Sequence, residues 1–510
     1  MTPTGIDLEI ARNRLRGIAE EMGIVLRRTA YSPNIKERAD CSAAVFTASG
    51  DMLAQAEHIP VHLGAMPASV RAVIDRFDPE PGVQYAVNDP FAGGTHLNDL
   101  TIVQPVFASG RLIAWVGNRA HHADVGGEAP GSMPAHATEL TQEGIVVSPM
   151  PAVRNGEWLD GFLTPFLEAT RTPSERRGDL SAQLGANQVA VQRITELVGD
   201  DARPFAGMFE AILTYGERRM RAAIGDLDRG TFEFTDYMEM GDSDVAIRVA
   251  LTVAEEGVVA DFTGSDDQVP ANFNAVEAVT RSCLYYALRV VTDPTIPANG
   301  GSYRVTSLVT RPGSVVAAVP PAAVAAGNVE TSQRIADVLL GAFAQAARGR
   351  VPAASQGTMN NILIGNDSFA YYETVAGGQG AGPHLDGQSG IQTGMTNTRN
   401  TPIESLERHY PFQVTRYTLR RDSGGGGLLR GGEGIEREIT FGEPATLSLM
   451  GERRRNRPWG LEGGEPGACG EDLLTRADGT VERLAGKVTT EVEPGDVLLV
   501  RTPGGGGYGK

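Results

Sequence analysis

The chain has 510 residues and a formal net charge of −18 at pH 7, and 41% of its residues are hydrophobic. This composition excludes a mostly disordered chain, and the length predicts two or three subdomains. The acidic balance argues against nucleic acid as a partner. Three cysteines without a CxxC pair fit a reducing compartment. No apolar run is long enough to span a membrane, and the first residues lack a signal-peptide core, so we expect a cytoplasmic protein.

The predicted elements begin with a helix. Apolar periodicity places it from Ala11 to Leu26, with its end near Pro33. A β-hairpin is predicted about the turn Ser49–Asp51, and a second hairpin joins residues 100–107 and 112–118. The remaining predicted elements are helices over 64–77, 172–227, 275–292 and 329–348 and a strand over 245–254.

Glycine is the outlier of the composition, with 63 residues of 510. This density favours many tight turns, as in a strand-rich protein. Together with the predicted helices, it indicates an α+β fold with several subdomains. We expect an N-terminal α+β region over 1–230, a central strand-rich region with helices over 231–350, and a strand- and glycine-rich region over 351–510.

Several common active-site motifs are absent from the sequence. It has no G-x-x-x-x-G-K-[ST] phosphate loop, no G-x-S-x-G nucleophile turn and no H-E-x-x-H zinc helix. If the function consumes ATP, we therefore expect another chain to bind the nucleotide.

Histidine and aspartate residues converge at one end of the second predicted hairpin. Antiparallel pairing places Asp99 opposite about residue 120, so that His96 and Asp99 meet His121 and His122. Two imidazoles and a carboxylate predict a divalent-metal site, which Mn, Fe, Co or Zn would fit equally well. Asp40 is a candidate for a further ligand or for a carboxylate that orients one.

Alternatives remain for this cluster and for its neighbours. Asp124 is a second candidate for the further acidic role, and adjacent histidines can also form a hydrogen-bonded pair in the core. His58 and His62 could line the same pocket, but local hydrogen bonding is the favoured interpretation. Cys41 lies beside Asp40, yet we interpret it as a small buried apolar residue because no local feature lowers its pKa.

Two glycine runs, 423–427 and 503–509, could bind an anion through backbone N–H groups. We prefer to interpret them as turns between strands, with the second run as a surface tail. Close backbone contact with a partner subunit is a third possibility.

Long stretches distributed along the chain match one known family. They are NIKERADCSAAVF (34–46), HIPVHLGAM (58–66), NDPFAGGTHLNDL (88–100), HHADVGGEAPGSMP (121–134), GNVETSQRIADVLLGA (327–342), YYETVAGGQGAGP (371–383), MTNTRNTPIESLE (395–407) and TPGGGGYG (502–509). On these stretches the chain resembles the hydantoinase B/oxoprolinase family. That family includes beta subunits of ATP-dependent N-methylhydantoinase and caprolactamase, and subunits of acetone and acetophenone carboxylases.

The resemblance implies a hydantoinase B-like fold and a heteromeric enzyme. A hydantoinase A-type ATPase subunit would bind ATP and phosphorylate the substrate oxygen, in a hetero-oligomer such as α2β2. This chain would then hydrolyse the activated cyclic amide, such as a hydantoin, 5-oxoproline or a lactam. A divalent metal supports such chemistry because it lowers the pKa of a bound water toward about 7.

The resemblance also implies roles for single residues. His96, Asp99 and His121 match the metal ligands of the family, and Asp40 is an additional candidate ligand. His122 and Asp124 would orient ligands or substrate, and Asp99 or Asp40 would be the general base if it is not a ligand.

Two other functions remain open. A subunit of an ATP-dependent ketone carboxylase is the alternative enzyme, although the acetone carboxylase subunits are considerably longer. A chain that only scaffolds the ATPase partner is the non-enzymatic alternative. Cys41 also stands where the family leads us to expect an aromatic residue, so the pocket near Asp40 is expected to differ.

Overall fold

Four β-sheets and their flanking helices form the fold of this chain, which a computed structural model describes for residues 5–56, 59–199 and 203–510. The α-helices in these residues are α1 (Gly5–Thr29), α2 (Pro33–Lys36), α3 (Ala65–Arg76), α4 (Asp160–Ala169), α5 (Pro173–Val198), α6 (Arg203–Ile224), α7 (Glu277–Val291), α8 (Gly300–Tyr303), α9 (Ser332–Ala346) and α10 (Ile403–His409). The expected α+β class is confirmed.

The strands divide among the sheets in chain order. The first sheet contains β1 (Cys41–Thr47), β2 (Met52–Ala56), β3 (Val83–Val87), β4 (Asp99–Ala108), β5 (Arg111–His121), β6 (Met150–Arg154) and β7 (Glu157–Trp158). The second contains β8 (Gly230–Met240), β9 (Ser243–Val253), β10 (Val258–Asp261) and β11 (Thr306–Val309). The last two share β12 (Asn361–Gly365), β13 (Ala370–Thr374), β14 (Phe412–Arg420), β15 (Gly434–Phe441), β16 (Ala445–Met450), β17 (Glu471–Thr475), β18 (Val481–Leu484), β19 (Lys487–Val492) and β20 (Val497–Arg501).

The first sheet is antiparallel throughout, with strand order β2-β1-β5-β4-β3-β6-β7. Both predicted hairpins are confirmed, as β1–β2 and β4–β5. Helices α1 and α5 pack with β1 and β5 in one buried apolar cluster. Its residues include Leu15, Met22, Ile194, Val45 and Val116. The helical spacing of the apolar residues in α1 is what lets one face of that helix reach the sheet.

The predicted helical segments from 172 onward are present, with local differences. Residues 172–227 form two helices, α5 and α6, instead of one. The segment predicted over 329–348 begins with a π-helical turn at Gly327–Thr331 and continues as α9. π-helical turns are rare and often occur at functional sites.

The second sheet packs with α7 and α9 around the largest apolar cluster. That cluster includes residues from Ile59 to Met450, so it crosses both predicted region boundaries, near 230 and near 350. The sheets themselves fall on either side of those boundaries. The division into 1–230, 231–350 and 351–510 stays a prediction.

The last two sheets have strand orders β13-β12-β16-β19 and β14-β15-β20-β17-β18. All of their pairings are antiparallel. Both sheets contribute to an apolar cluster that includes Ile362, Leu447, Ile439 and Leu498.

The glycine runs pack against one another inside the C-terminal part of the chain. Gly425 donates its N–H to the carbonyl of Gly505 at 2.8 Å, Gly505 to Gly432 at 2.9 Å, and Gly432 to Gln379 at 2.8 Å. Residues 502–507 are all buried. The expectation of a surface tail was therefore wrong, because extended segments without side chains can approach closely enough to hydrogen-bond laterally.

Within the part of the chain that the structure describes, no helix combines the length and the apolar character needed to cross a lipid bilayer.

Candidate metal centre

The β4–β5 hairpin brings a carboxylate and two imidazoles together at one end of the first sheet. Asp99, the first residue of β4, pairs with His121, the last residue of β5. Asp99 Oδ1 is 3.2 Å from His96 Nε2 and 3.3 Å from His121 Nδ1. The three residues offer donor atoms that all lie within 4.8 Å of one another, and all three side chains are buried. Of the four residues that the register placed at this end, the structure brings three together, and they are the three that the family resemblance implied.

The two oxygens of Asp99 have different surroundings. Oδ2 accepts a hydrogen bond from the Thr95 hydroxyl at 2.6 Å and a long one from the Asn328 amide at 3.4 Å. It also lies 3.3 Å from His62 Nε2. Oδ1 makes no hydrogen bond with the described residues. The contacts to Oδ2 therefore fix the carboxylate with Oδ1 directed toward His96 and His121.

His62 belongs to this centre, which corrects the interpretation that its role is local. Its Nδ1 is 2.9 Å from the Ser42 hydroxyl, and its Nε2 faces Asp99. A short 3₁₀ turn, Pro60–His62, carries the ring over the sheet. The contact between His62 and Asp99 could not be predicted from the sequence, because the two residues belong to segments that meet only in the folded chain. His58 lies outside the described residues.

Residues distant in sequence fix the orientation of His121. The Tyr372 ring stacks on the imidazole, with ring centroids 4.5 Å apart and an interplanar angle of 14°. The Arg38 guanidinium lies 4.6 Å from the centroid of the Tyr372 ring and donates to the Tyr372 carbonyl at 2.9 Å. Asn34 donates to the His121 carbonyl at 2.6 Å. Sequence reasoning missed Tyr372 and Asn328, and the only signal was that both lie in stretches that match the family.

Asp40 lies beside the three-residue group but is not part of it. Its carbonyl accepts the His121 N–H at 3.1 Å, and its Oδ2 is 3.9 Å from Arg38 Nη2. Burial raises the pKa of Asp40 to about 7, in opposition to the attraction of Arg38, and the nearby charge of Asp99 contributes in the same direction as burial. A fourth-ligand role for Asp40 stays a prediction.

The structure does not bring His122 to the centre. His122 follows the last residue of β5, and its ring contacts residues other than Asp99. The His122 Nε2 is 3.0 Å from Gln183 Oε1, and its ring packs edge-on against Phe166. Its position indicates a role in packing the end of the first sheet against α4 and α5.

Asp124 is likewise placed outside the centre. Its Oδ1 accepts from the backbone N–H groups of Gly126 and Arg171 at 3.0 and 3.1 Å. Its Oδ2 accepts from Gly131 at 3.0 Å and from the Arg171 guanidinium at 2.9 Å. These contacts use the carboxylate to hold the loop after β5, so any effect of Asp124 on the centre is indirect.

Cys41 agrees with its interpretation as a buried apolar residue. It is fully buried in the first sheet, where it pairs with Ala120. Burial raises the pKa of the Cys41 thiol to about 12, and the carboxylate of Asp40 acts in the same direction. A thiol with such a pKa does not supply a nucleophilic thiolate at neutral pH.

The donor set at Asp99 fits a divalent cation. Both ring nitrogens of His96 and Nε2 of His121 are buried without a hydrogen bond to the described residues. Donor atoms that share one cation at about 2.1 Å are separated by about 3.0–3.4 Å, which is the range of the two distances to Asp99 Oδ1. Buried polar atoms rarely remain without a partner, and an ion beside Asp99 Oδ1 would partner that oxygen and His96 Nε2. Because an imidazole binds one ion through one nitrogen, the same ion would not partner His96 Nδ1 or His121 Nε2.

The protonation states also suit a cation. Burial lowers the pKa of His121 to about 3, and it lowers the pKa of His62 as well. Burial by itself would raise the pKa of Asp99, but the facing rings of His96 and His62 outweigh it and hold that pKa well below its usual range. At neutral pH the centre therefore presents a carboxylate and a neutral His121, and metal ligation requires these deprotonated forms.

Comparisons with known sequences extend over the whole chain. The model of the family described as "Hydantoinase B/oxoprolinase" matches residues 4–510. A protein of Methanocaldococcus jannaschii is 42% identical over 99% of this chain and 90% of its own length. The 5-oxoprolinase 1 of Arabidopsis thaliana is 39% identical over 99% of this chain, which spans only 42% of that longer protein. A putative D-/L-hydantoinase subunit of a Pseudomonas species is 30% identical over 99% of this chain and 90% of the relative.

Two solved structures share the fold. The ATP-dependent caprolactamase from Pseudomonas jessenii superposes with a TM-score of 0.91 at 27% identity, covering 100% of this chain and 92% of that one. An acetone carboxylase chain also has a TM-score of 0.91, at 19% identity, covering 98% of this chain and 75% of that one. At that identity the acetone carboxylase comparison concerns the fold alone.

Proposed function

Because this chain belongs to the hydantoinase B/oxoprolinase family, we propose that it is the metal-containing beta subunit of an ATP-dependent cyclic amide hydrolase. Its substrate would be a hydantoin, a lactam or 5-oxoproline that a partner ATPase subunit has phosphorylated. The names of its relatives support this class of substrate, since they include 5-oxoprolinase, hydantoinase and caprolactamase.

The observation that carries the proposal is the convergence of buried His96 Nε2 and His121 Nδ1 on Asp99 Oδ1, at 3.2 and 3.3 Å. His96, Asp99 and His121 would hold the ion, with Asp40 as the candidate for a fourth position. A divalent cation held there would act as a Lewis acid toward an oxygen of the substrate or of water.

The other residues of the centre keep its ligands in place. Thr95, Asn328 and His62 fix one oxygen of Asp99, and Tyr372 fixes the plane of His121. Contacts of this kind commonly determine the affinity of a metal site, because they fix the orientation of each ligand before the ion binds. Asp40, whose pKa of about 7 lies near neutrality, is the candidate for proton transfer if it is not a ligand.

The lengths of the relatives support a separate partner chain. The chain spans 42% of Arabidopsis 5-oxoprolinase 1, but 90% of the Pseudomonas protein, which is named as one subunit of a hydantoinase. We propose that a separate hydantoinase A-type ATPase chain supplies ATP binding and substrate phosphorylation, in a cytoplasmic hetero-oligomer such as α2β2. This division of labour agrees with the absence of a phosphate loop from the sequence.

Metal analysis of the purified chain tests the centre. We expect inductively coupled plasma mass spectrometry to find one divalent cation per chain in the wild type and in His122→Gln. We expect the His96→Ala/His121→Ala double variant to lose it. A metal-free wild type, or a double variant that retains its metal, would contradict the proposal.

Product analysis with the partner ATPase tests the reaction. The co-expressed complex should convert hydantoin, caprolactam or 5-oxoproline to a ring-opened product only when ATP is present. A product with a new carbon–carbon bond from a ketone and bicarbonate would instead identify the carboxylase alternative. Full activity of His121→Ala would support the alternative that this chain only scaffolds its partner.

A further inference from the structure

Glu330 is a buried carboxyl group to which the proposed function gives no role. It lies in the π-helical turn Gly327–Thr331, and its side chain is fully buried. No ion pair joins it to a described lysine, arginine or histidine, and the cation of Lys487 pairs with the neighbouring Glu452 instead. Burying a carboxyl group without a cation costs free energy, so its position requires an explanation other than packing.

The fold uses Glu330 as a hydrogen-bond acceptor. Burial raises the pKa of Glu330 to about 8, so the carboxyl group is mostly protonated at neutral pH. Its Oε1 accepts from the Met359 N–H at 3.0 Å and from the Asn361 amide at 2.8 Å. Its Oε2 is buried and makes no hydrogen bond with the described residues. The working part of the side chain is therefore the acceptor Oε1, and a negative charge is not required.

The Asn361 amide connects Glu330 to Tyr372. Its Nδ2 donates to Glu330 Oε1 and, at 2.9 Å, to the carbonyl of Met450. Its Oδ1 accepts from the Tyr372 hydroxyl at 2.8 Å. The NH₂ end of an amide only donates and the oxygen only accepts, so two acceptors at Nδ2 determine that the oxygen faces the tyrosine.

The Tyr372 ring brings this series of contacts to a candidate metal ligand. It stacks on the His121 imidazole, with ring centroids 4.5 Å apart and an interplanar angle of 14°. The plane of that imidazole sets the direction of His121 Nδ1, which lies 3.3 Å from Asp99 Oδ1. A tyrosine that is held at its hydroxyl end therefore limits the tilt of the imidazole that packs on it.

The same π-helical turn reaches the centre by a second path. Asn328, two residues before Glu330, donates to Asp99 Oδ2 at 3.4 Å. The turn thus contacts Asp99 directly and His121 through two intervening side chains. Two independent paths from one turn to two candidate ligands indicate that the turn supports the centre.

We propose that Glu330 is a positioning residue of the metal centre, whose Oε1 fixes the plane of the His121 imidazole through Asn361 and the Tyr372 hydroxyl. The inference rests on the proposed function and adds a residue to its centre. Contacts outside the ligands commonly change the affinity of a metal site by about 10- to 100-fold, so the effect of Glu330 is expected in metal binding itself.

Titration of the metal-stripped, full-length chain with Co²⁺, followed by the visible absorption of the bound ion, tests this path. Glu330→Leu removes the acceptor, and Tyr372→Phe removes the hydroxyl while it keeps the stacked ring. Each should weaken Co²⁺ binding by about 10-fold and change the absorption spectrum, because the ligand imidazole changes its orientation. Glu330→Gln keeps an acceptor at Oε1 and should bind Co²⁺ as the wild type does.

A double variant tests whether the two residues act on one path. Glu330→Leu/Tyr372→Phe should weaken Co²⁺ binding about as much as the more damaging single substitution, because contacts in one network are not additive. The matched control is Tyr85→Phe, which removes the hydroxyl that buried Tyr85 donates to the Asp78 carbonyl at 3.2 Å. It should leave Co²⁺ binding unchanged. If Glu330→Leu does not fold, Glu330→Asp replaces it, because a side chain shorter by one methylene group withdraws the acceptor from Asn361.

The outcomes separate this inference from the proposed function. Unchanged Co²⁺ affinity in Tyr372→Phe would overturn the inference, and so would a loss in Glu330→Gln as large as that in Glu330→Leu. Additive losses in the double variant would also overturn it. In each of these cases the metal centre would stand on the titration of the wild type. A wild type that binds no Co²⁺ would refute the centre and the role of Glu330 together.

Discussion

A methyl group added at Gly505 is expected to disrupt the packed glycine runs. A Cβ built on Gly505 would lie 2.0 Å from the carbonyl oxygen of Gln379 and 2.3 Å from its carbonyl carbon. The obstacles are backbone atoms, which cannot rotate away as a side chain can. Gly505 is also hydrogen-bonded on two sides, to Gly432 and to Gly425.

The magnitude follows from these contacts. Overpacking of a well-packed interior costs about 1–3 kcal/mol, and the upper end applies where only backbone can move. We therefore expect Gly505→Ala to lower the free energy of unfolding by about 3 kcal/mol. If the cooperative unit has roughly 150–250 residues, the unfolding midpoint falls by about 6–12 °C.

The matched control is Gly382→Ala in the same part of the chain. A Cβ at Gly382 has its nearest neighbour at 3.9 Å, the carbonyl oxygen of Leu385. That variant should be unchanged or stabilised by up to about 1 kcal/mol, because alanine restricts the unfolded chain. Calorimetric unfolding of both variants measures the difference. Equal midpoints would refute the argument that close backbone approach requires glycine at 505.

Three further predictions concern buried charges. Burial raises the pKa of Glu143 to about 8, above its usual 4.5. At a pH between these two values, the folded chain therefore keeps a proton on this carboxyl group that the unfolded chain has lost. The wild type should therefore lose up to about 1.4 kcal/mol of stability per pH unit across that window relative to Glu143→Gln, measured by thermal unfolding at pH 5.5 and 7.5. Arg453→Met removes the nearer of two buried guanidinium partners of Asp236 and Asp337, which keep only their 3.3 Å contacts with Arg334, and it should cost about 3 kcal/mol. Arg229→Met, in an exposed pair, should cost less than about 1 kcal/mol by denaturant titration. Asp124→Asn should cost about 1–3 kcal/mol while the metal content of the chain stays unchanged.

Each of these three predictions has an experimental result that would contradict it. Parallel pH profiles for wild type and Glu143→Gln would show that this carboxyl is ionised in the folded state. A tolerated Arg453→Met would show that Arg334 by itself is a sufficient partner for Asp236 and Asp337. Loss of the metal from a folded Asp124→Asn would return Asp124 to the role of a residue that orients ligands.

The local elements could be predicted because they depend on contacts near in sequence. The periodicity of α1, the turn at Ser49–Asp51 and the β4–β5 hairpin are all encoded within short segments. Register within a hairpin is fixed once its turn is known, so the meeting of Asp99 with His121 followed from arithmetic along the chain. The register therefore placed His96 and Asp99 beside His121 and His122, and the choice of His121 over His122 came only from the family resemblance.

The remainder of the centre was decided by tertiary structure. The contacts of His122 depend on the positions of α4 and α5, which carry Phe166 and Gln183. Tyr372 and Asn328 reach the centre from segments more than 200 residues away, and no local pattern encodes such an approach.

The glycine runs show the same division. Composition alone indicated many tight turns, and it did not indicate that the two glycine runs pack against one another. Which segments meet depended on the whole C-terminal fold, because a residue without a side chain carries no pattern that names its partner. Hairpins and helices are fixed by neighbours along the chain, whereas a buried site is completed by whichever distant segments the packing of sheets and helices brings to it.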